Sequence, residues 1–182
     1  IAQYAAESNL KNISLELGGK SPMIIFDDAD IEQALDAAHL GVFLNQGQCC
    51  CAGTRVYVQE GIYDEFVKAA AKRAEAIQVG LYDQDNVEQG PQVDSIQFER
   101  VMGYIEAGKK EGATVATGGA RHGSKGYFVQ PTVFSDVTDE MKIAKEEIFG
   151  PVMSIFKFGT DEEVVQRANN SIFGLAAGVC SK

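Results

Sequence analysis

Strand-length apolar runs alternate with helix-length amphipathic stretches along this whole chain, and that alternation restricts its fold more than any other feature. Pro22-Met23-Ile24-Ile25-Phe26 is a continuous apolar run, as in strands covered on both faces. Asp30 is placed to cap a helix from about Ile31 to Phe43, with Gln33 in the capping-box position. Residues 55–59 are β-rich. Ile62, Phe66, Ala70, Arg73 and Ile77 then recur at helical spacing, and Phe98, Val101, Met102 and Ile105 mark another amphipathic helix. Residues 128–134 read as a strand, which Pro131 makes an edge or irregular one. Residues 151–158 read as a further strand. Thr160 and Glu163 form a capping box for a helix to about Asn169, and residues 175–180 read as a last strand of small residues. Such an order predicts an α/β domain with a mainly parallel sheet flanked by helices. Upstream, Ile1-Ala2-Gln3-Tyr4-Ala5-Ala6 reads as the middle of a helix. Ile13-Ser14-Leu15-Glu16-Leu17 alternates like a short connecting strand that stops at Gly18-Gly19. With no initiator Met, the chain is expected to be an internal fragment.

Its 182 residues suffice for one substantial core. A net charge of -10 excludes the basic footprint that nucleic acids and anionic membrane surfaces require. No apolar run approaches the roughly 20 residues of a membrane span. Four cysteines, three of them adjacent, make a poor disulfide framework, and with no CxxC pair and only His39 and His122 no metal site is expected. A reducing intracellular compartment fits best. There is no GxGxxG and no GxxxxGK[ST], so no complete nucleotide fingerprint. The glycine-rich residues 118–126 read as a surface loop.

Three segments carry candidate chemistry. Cys49-Cys50-Cys51 follows Asn45-Gln46-Gly47-Gln48 at a helix-to-strand junction, where loops held by rigid elements expose reactive groups. If the segment is extended, Cys50 points opposite to its neighbours, which then pack as small hydrophobes. Gln48 is placed to hold a neighbouring loop or the cofactor region. Glu16, between Leu15 and Leu17 and beside two glycines, is expected to be poorly solvated, with the raised pKa that suits a general base. In Glu146-Glu147-Ile148-Phe149-Gly150-Pro151 a carboxylate can accept from ribose hydroxyls and an aromatic ring can pack on a flat heterocycle. Taken singly, each segment also has an ordinary reading: buried cysteine filler, a glutamate pointing to water, and a helix end with a Gly-Pro stop. His39 reads as a satisfied helix histidine and His122 as a surface residue.

Taken together and in order, Leu15-Glu16-Leu17-Gly18-Gly19-Lys20-Ser21-Pro22, then residues 43–52, then Glu147-Ile148-Phe149-Gly150-Pro151 resemble the NAD(P)-dependent aldehyde dehydrogenase superfamily. The resemblance runs the full length, through Glu88-Gln89-Gly90-Pro91 and Asn169-Asn170, and is nearest the broad-specificity, acetaldehyde- and retinal-oxidising branch. It implies that family's catalytic-domain fold. Residues 1–15 would be the tail of the cofactor-binding domain, a helix and connecting strand, and residues 16–182 most of the nucleophile-bearing domain. It implies Cys50 as nucleophile, Glu16 as general base, and Glu147, Phe149, Leu17, Gly18 and Gln97 as cofactor-binding residues. The implied cofactor is NAD, with NADP possible, and the substrate a small-molecule aldehyde. The full-length parent would be a homo-oligomer, tetramer or dimer, in the cytoplasm or mitochondrial matrix, and the fragment alone inactive. Three rivals remain open: an acylating enzyme that passes the acyl group to coenzyme A, against which Glu16 counts; an inactive crystallin-type protein keeping the fold; and a cysteine hydrolase, which needs a histidine partner in a supporting motif.

Overall fold

A computed structural model describes residues 1–182. Six strands form one sheet in the order β3-β4-β5-β2-β1-β6: β1 (Pro22–Ile25), β2 (Arg55–Gln59), β3 (Thr114–Thr117), β4 (Thr132–Ser135), β5 (Val152–Phe158) and β6 (Gly178–Cys180). Every neighbouring pair is parallel except β3 with β4. Helices α2 (Ile31–Phe43) and α3 (Tyr63–Glu75) cover one face. There Ala38, Phe66 and Ala70 pack with Val56, Val58, Val133 and Ile155. On the other face, α4 (Ser95–Glu111), α5 (Lys142–Lys145) and α6 (Asp161–Asn169) bring Val101, Ile105, Ile143 and Val164 to Tyr57, Phe134 and Phe156. Both faces are therefore closed, which is why the central strands are continuous apolar runs. Each fully buried side chain such as Phe66 contributes about 1.5–3 kcal/mol.

The helix starts follow their capping residues. Asp30 accepts from the backbone N–H groups of Glu32 and Gln33 at 3.1 Å each. Thr160 Oγ1 accepts from Glu163 N at 3.3 Å, while the Glu163 carboxylate reaches back to Gly159 N at 3.0 Å. Gly112 closes α4 in the left-handed region at φ 97°, and the chain turns directly into β3.

Three expectations are corrected. Residues 13–17 form no strand: nothing pairs with their backbone, and Leu15, Glu16 and Leu17 are exposed. A helix, α1 (Ala2–Glu7), does form, but it buries no residue. Pro131 precedes β4 rather than interrupting it, and β4 lies between β3 and β5, not at an edge. Residues 128–130 instead hold the glycine-rich loop, with His122 N donating to Phe128 O and Gln130 N to Ala120 O at 2.9 Å each. Of residues 175–180 only the last three pair, with β1. β3 and the single-turn α5 are too short to show a period in the sequence. No helix is long and apolar enough to cross a membrane.

Candidate functional site

The three motifs meet because of the sheet order. Gly18-Gly19 leads into β1, the cysteine turn into β2, and Phe149-Gly150-Pro151 into β5. These are adjacent parallel strands, and Pro22, Arg55 and Ser154 lie level across them. Three loops distant in sequence thus emerge at one edge of the sheet. It is the amino edge of the strands, opposite to the edge where open α/β sheets usually hold ligands.

Contacts that leave no room for a side chain lock the loops together. A Cβ on Gly19 would lie 2.3 Å from the Cys50 carbonyl oxygen. One on Gly47 would lie 2.0 Å from that of Gly150, and one on Gly18 would lie 2.4 Å from a carboxylate oxygen of Glu147. The other Glu147 oxygen accepts from Gly19 N at 3.0 Å.

After α2 the backbone passes through three left-handed residues, Asn45 (φ 52°), Gln46 (φ 58°) and Gly47 (φ 72°). The first two cost about 1–2 kcal/mol each. Hydrogen bonds offset this. Asn45 Nδ2 donates to Gln48 O at 2.9 Å. Gln46 Oε1 accepts from Gly90 N at 3.3 Å, and Gln92 Nε2 donates to Gln46 O at 3.4 Å. Gln48 Oε1 accepts from Val93 N at 3.0 Å, so this side chain does hold a neighbouring loop. Residues 49–52 then form a turn closed by Ala52 N donating to Cys49 O at 3.2 Å. Being a turn, the segment is not extended, and the flanking cysteines are not core filler. Cys51 is exposed, and its Sγ lies 3.5 Å from that of half-buried Cys49. That thiol–thiol hydrogen bond pushes the Cys51 thiol up. Cys50 is half-buried, and neither its Sγ nor its backbone N–H has a hydrogen-bond partner in the chain.

Phe149 also occupies the left-handed region, at φ 59°. Gln97 secures it, donating from Nε2 to Ile148 O at 3.1 Å and to Phe149 O at 2.7 Å. Arg100 donates to Glu147 O at 3.0 Å. Expected among the cofactor-binding residues, Gln97 here spends its side-chain amide on the backbone that carries Phe149.

Glu16 stands apart from its expected environment. It is exposed, on irregular backbone, and makes no hydrogen bond. It is three residues from Gly19, so roughly 10 Å of chain at most separates it from the Cys50 contact. Leu17 is exposed and Gly18 half-buried beside Glu147. His39 is half-buried on α2 against Phe43, and burial lowers its pKa; His122 is exposed.

Two basic residues escaped the sequence pattern. Arg55 is buried and ties the edge together, its Nε donating to Lys20 O at 2.8 Å and its Nη2 to Ala168 O at 2.9 Å. Lys20 is 2% exposed and its Nζ has no hydrogen-bond partner. Burial, reinforced by Arg55 and opposed by Glu147 and Glu146, pulls its pKa down to about 7. A lysine between Gly19 and Ser21-Pro22 reads as a solvated turn residue, so only packing reveals it. A cavity of about 510 Å³ lies beside Arg55, between Glu146 and Asn169, and does not include Cys50 or Glu16. No His, Cys, Asp and Glu side chains are grouped to hold a metal ion.

The sequence and the fold have known counterparts. The profile of the aldehyde dehydrogenase family matches residues 1–182. The chain belongs to the aldehyde dehydrogenase family. It is 59% identical over all 182 residues to an aldehyde dehydrogenase of Emericella nidulans, of which it covers 37%. It is 60% identical over 178 residues, 98% of the chain, to the human mitochondrial aldehyde dehydrogenase, of which it covers 34%. The NAD+ complex of the Bacillus cereus aldehyde dehydrogenase superposes with a TM-score of 0.95 at 53% identity, covering 99% of this chain and 36% of that one. The chain therefore spans about a third of the length of these relatives. The Bacillus cereus structure holds NAD+, and NAD is the cofactor that membership of the family supports for this chain. The Glu147 carboxylate is partly exposed, and Gly18 lies so close to it that a Cβ there would collide with it.

Proposed function

We propose that this chain carries the nucleophile and the nicotinamide-end contacts of an NAD-dependent aldehyde dehydrogenase that oxidises a small aldehyde to a carboxylic acid. The observation that supports it is the convergence of Gly18-Gly19, Cys50 and Glu147–Phe149 at the amino edge of β1, β2 and β5. The Cys50 sulfur, as thiolate, adds to the aldehyde carbon, and the carbonyl oxygen becomes an oxyanion. The unpartnered Cys50 N–H is available to receive that oxyanion. When bound, NAD+ supplies the acceptor for the hydride that leaves this carbon. The carbon is then a thioester on Cys50, and one hard oxidation has become two easier steps. Glu16 takes a proton from water as the water oxygen adds to the thioester carbon. The C–S bond breaks, the acid departs, and the Cys50 thiolate is restored. Glu147 holds the ribose hydroxyls, with Gly18 keeping the approach clear, and Leu17 and Phe149 flank the ring. Gln97 fixes Phe149. Assembly into a homo-oligomer, and residence in the cytoplasm or mitochondrial matrix, belong to the same reading of the full-length enzyme.

In the full-length enzyme containing this chain, Cys50→Ala should lower NADH production from propanal by roughly 10³-fold or more. Cys49→Ala and Cys51→Ala should keep most of the rate. Retention of the rate in Cys50→Ala refutes the reading. A requirement for coenzyme A would favour the acylating rival.

A further inference from the structure

We infer that a small cavity behind the Gly18-Gly19 turn binds a short-chain monocarboxylate, its carboxylate held by Lys20 Nζ and Ser21 Oγ and its alkyl tail lying against Phe173 and Leu175. Both donors line the cavity and neither has a hydrogen-bond partner, although Lys20 is only 2% and Ser21 4% exposed. Buried polar groups are nearly always paired, so two unpaired donors on one cavity point to a ligand. Arg55 adds a third. Its Nε bonds Lys20 O, its Nη1 bonds Tyr57 Oη and Arg167 O, and its Nη2 bonds Ala168 O. One of the N–H groups of its guanidinium, on Nη2, remains free. No carboxylate lines the cavity, so the two cations face it without a counter-ion.

The rest of the wall selects the ligand. Pro22, Ala168, Phe173 and Leu175 are apolar, which suits a short alkyl tail and not a fully charged ion such as phosphate. The volume is about 140 Å³, room for roughly four or five waters at about 30 Å³ each, or for a carboxylate with a few carbons. Asn169 and residues 174–177 are exposed and form the mouth. Gly19 separates the cavity from the cysteine turn: a Cβ there would lie 2.3 Å from Cys50 O and 3.3 Å from Leu175 Cδ2. The cavity is therefore not the place where an acid leaves Cys50. Monocarboxylates are the product class of the proposed oxidation; that link rests on the proposed function, and the binding itself does not.

A carboxylate pairs with the ammonium form of Lys20. The charged groups that face Lys20 are Arg55 from β2 and Glu147 and Glu146 from the loop before β5. Burial and Arg55 pull the amine down to about 7, and a bound carboxylate raises it again. Binding therefore takes up a proton above neutral pH, and affinity falls as pH rises.

The test is calorimetric titration of the full-length enzyme containing this chain with propanoate, in carboxylate-free buffer. One saturable site per chain should appear, with a Kd on the order of millimolar, the scale for a ligand of about five heavy atoms. Lys20→Met should weaken binding by about tenfold or more and Ser21→Ala by severalfold, each variant being checked for wild-type circular dichroism. Cys50→Ala should bind as wild type does, so this site and the nucleophile stand or fall separately. From about pH 6.5 to about 8.5 affinity should drop by on the order of tenfold. Inorganic phosphate should bind more weakly than propanoate. The inference is overturned if propanoate shows no saturable binding, if Lys20→Met binds it as tightly as wild type, if affinity is equal at both pH values, or if phosphate matches it. Binding lost in Cys50→Ala but kept in Lys20→Met would move the carboxylate to the cysteine turn and equally overturn it.

Discussion

Gly47→Ala tests whether the cysteine turn and the Gly150-Pro151 loop are held by direct backbone contact. The new Cβ would sit 2.0 Å from Gly150 O, 2.2 Å from its carbonyl carbon and 2.7 Å from Pro151 N. None of these is the end of a flexible side chain that could swing away. Overpacking of this kind costs about 1–3 kcal/mol. Gly47 also sits at φ 72°, where an alanine adds about 1–2 kcal/mol. The two contributions together give roughly 2–5 kcal/mol, a large part of the 5–15 kcal/mol expected of such a domain. The assay is urea unfolding followed by far-UV circular dichroism, with Gly41→Ala as control. Gly41 lies in α2 with nothing within 4 Å of its Cβ position, so alanine there should be neutral or stabilise by about 0.5–1 kcal/mol. In the full-length enzyme Gly47→Ala should also weaken cofactor binding, because the loop it pushes away carries Glu147 and Phe149. A Gly47→Ala midpoint equal to wild type would refute the packing of the two loops described here.

Lys20 is held at about 7 against an ordinary 10.5. Between those pH values the unfolded chain binds a proton that the folded chain does not, so this group's contribution to stability rises with pH and is least favourable at neutral pH and below. Lys20→Met should therefore stabilise the chain by a few kcal/mol, on the order of the linkage energy, at pH 7, and by little near pH 10.5; equal gains at both would contradict a buried neutral lysine. Gln97→Ala removes the bonds to Ile148 O and Phe149 O and should cost about 1–3 kcal/mol, a melting-temperature drop of several degrees, approximately. In the full-length enzyme it should raise the KM for NAD+ more than it lowers kcat. An unchanged KM would mean that Phe149 does not depend on this brace.

The sheet was legible in the sequence because its central strands are covered on both faces, and burial on both faces writes continuous apolar runs. Helix boundaries were legible where a side chain makes the cap, as Asp30 and Thr160 do. Residues 13–17 misled because alternation alone does not supply a partner strand. Pro131 misled because it lies one residue outside the ladder. The three motifs stood out in the sequence, and their convergence follows once β5, β2 and β1 are neighbours, which no local pattern states. Lys20 and Arg55 were invisible, since a buried cation leaves no period and is recognised only by what encloses it. Glu16 was legible as a motif residue, but its expected burial was not met, since the backbone around it is irregular and exposed. The left-handed turn at Asn45 and Gln46 was likewise hidden, because it is imposed by bonds to residues 90–92 rather than by glycine at those positions.

The most direct measurement is the site of the covalent adduct. The full-length enzyme with Glu16→Gln is mixed with aldehyde and NAD+, quenched in acid during the first turnover, digested and sequenced by mass spectrometry. With Cys50 as nucleophile and Glu16 as base, a burst of NADH should accompany an acyl group on Cys50 that persists because its hydrolysis is slowed by about 10²-fold or more. An acyl group on Cys49 or Cys51, or a steady rate equal to wild type with no adduct, would contradict it.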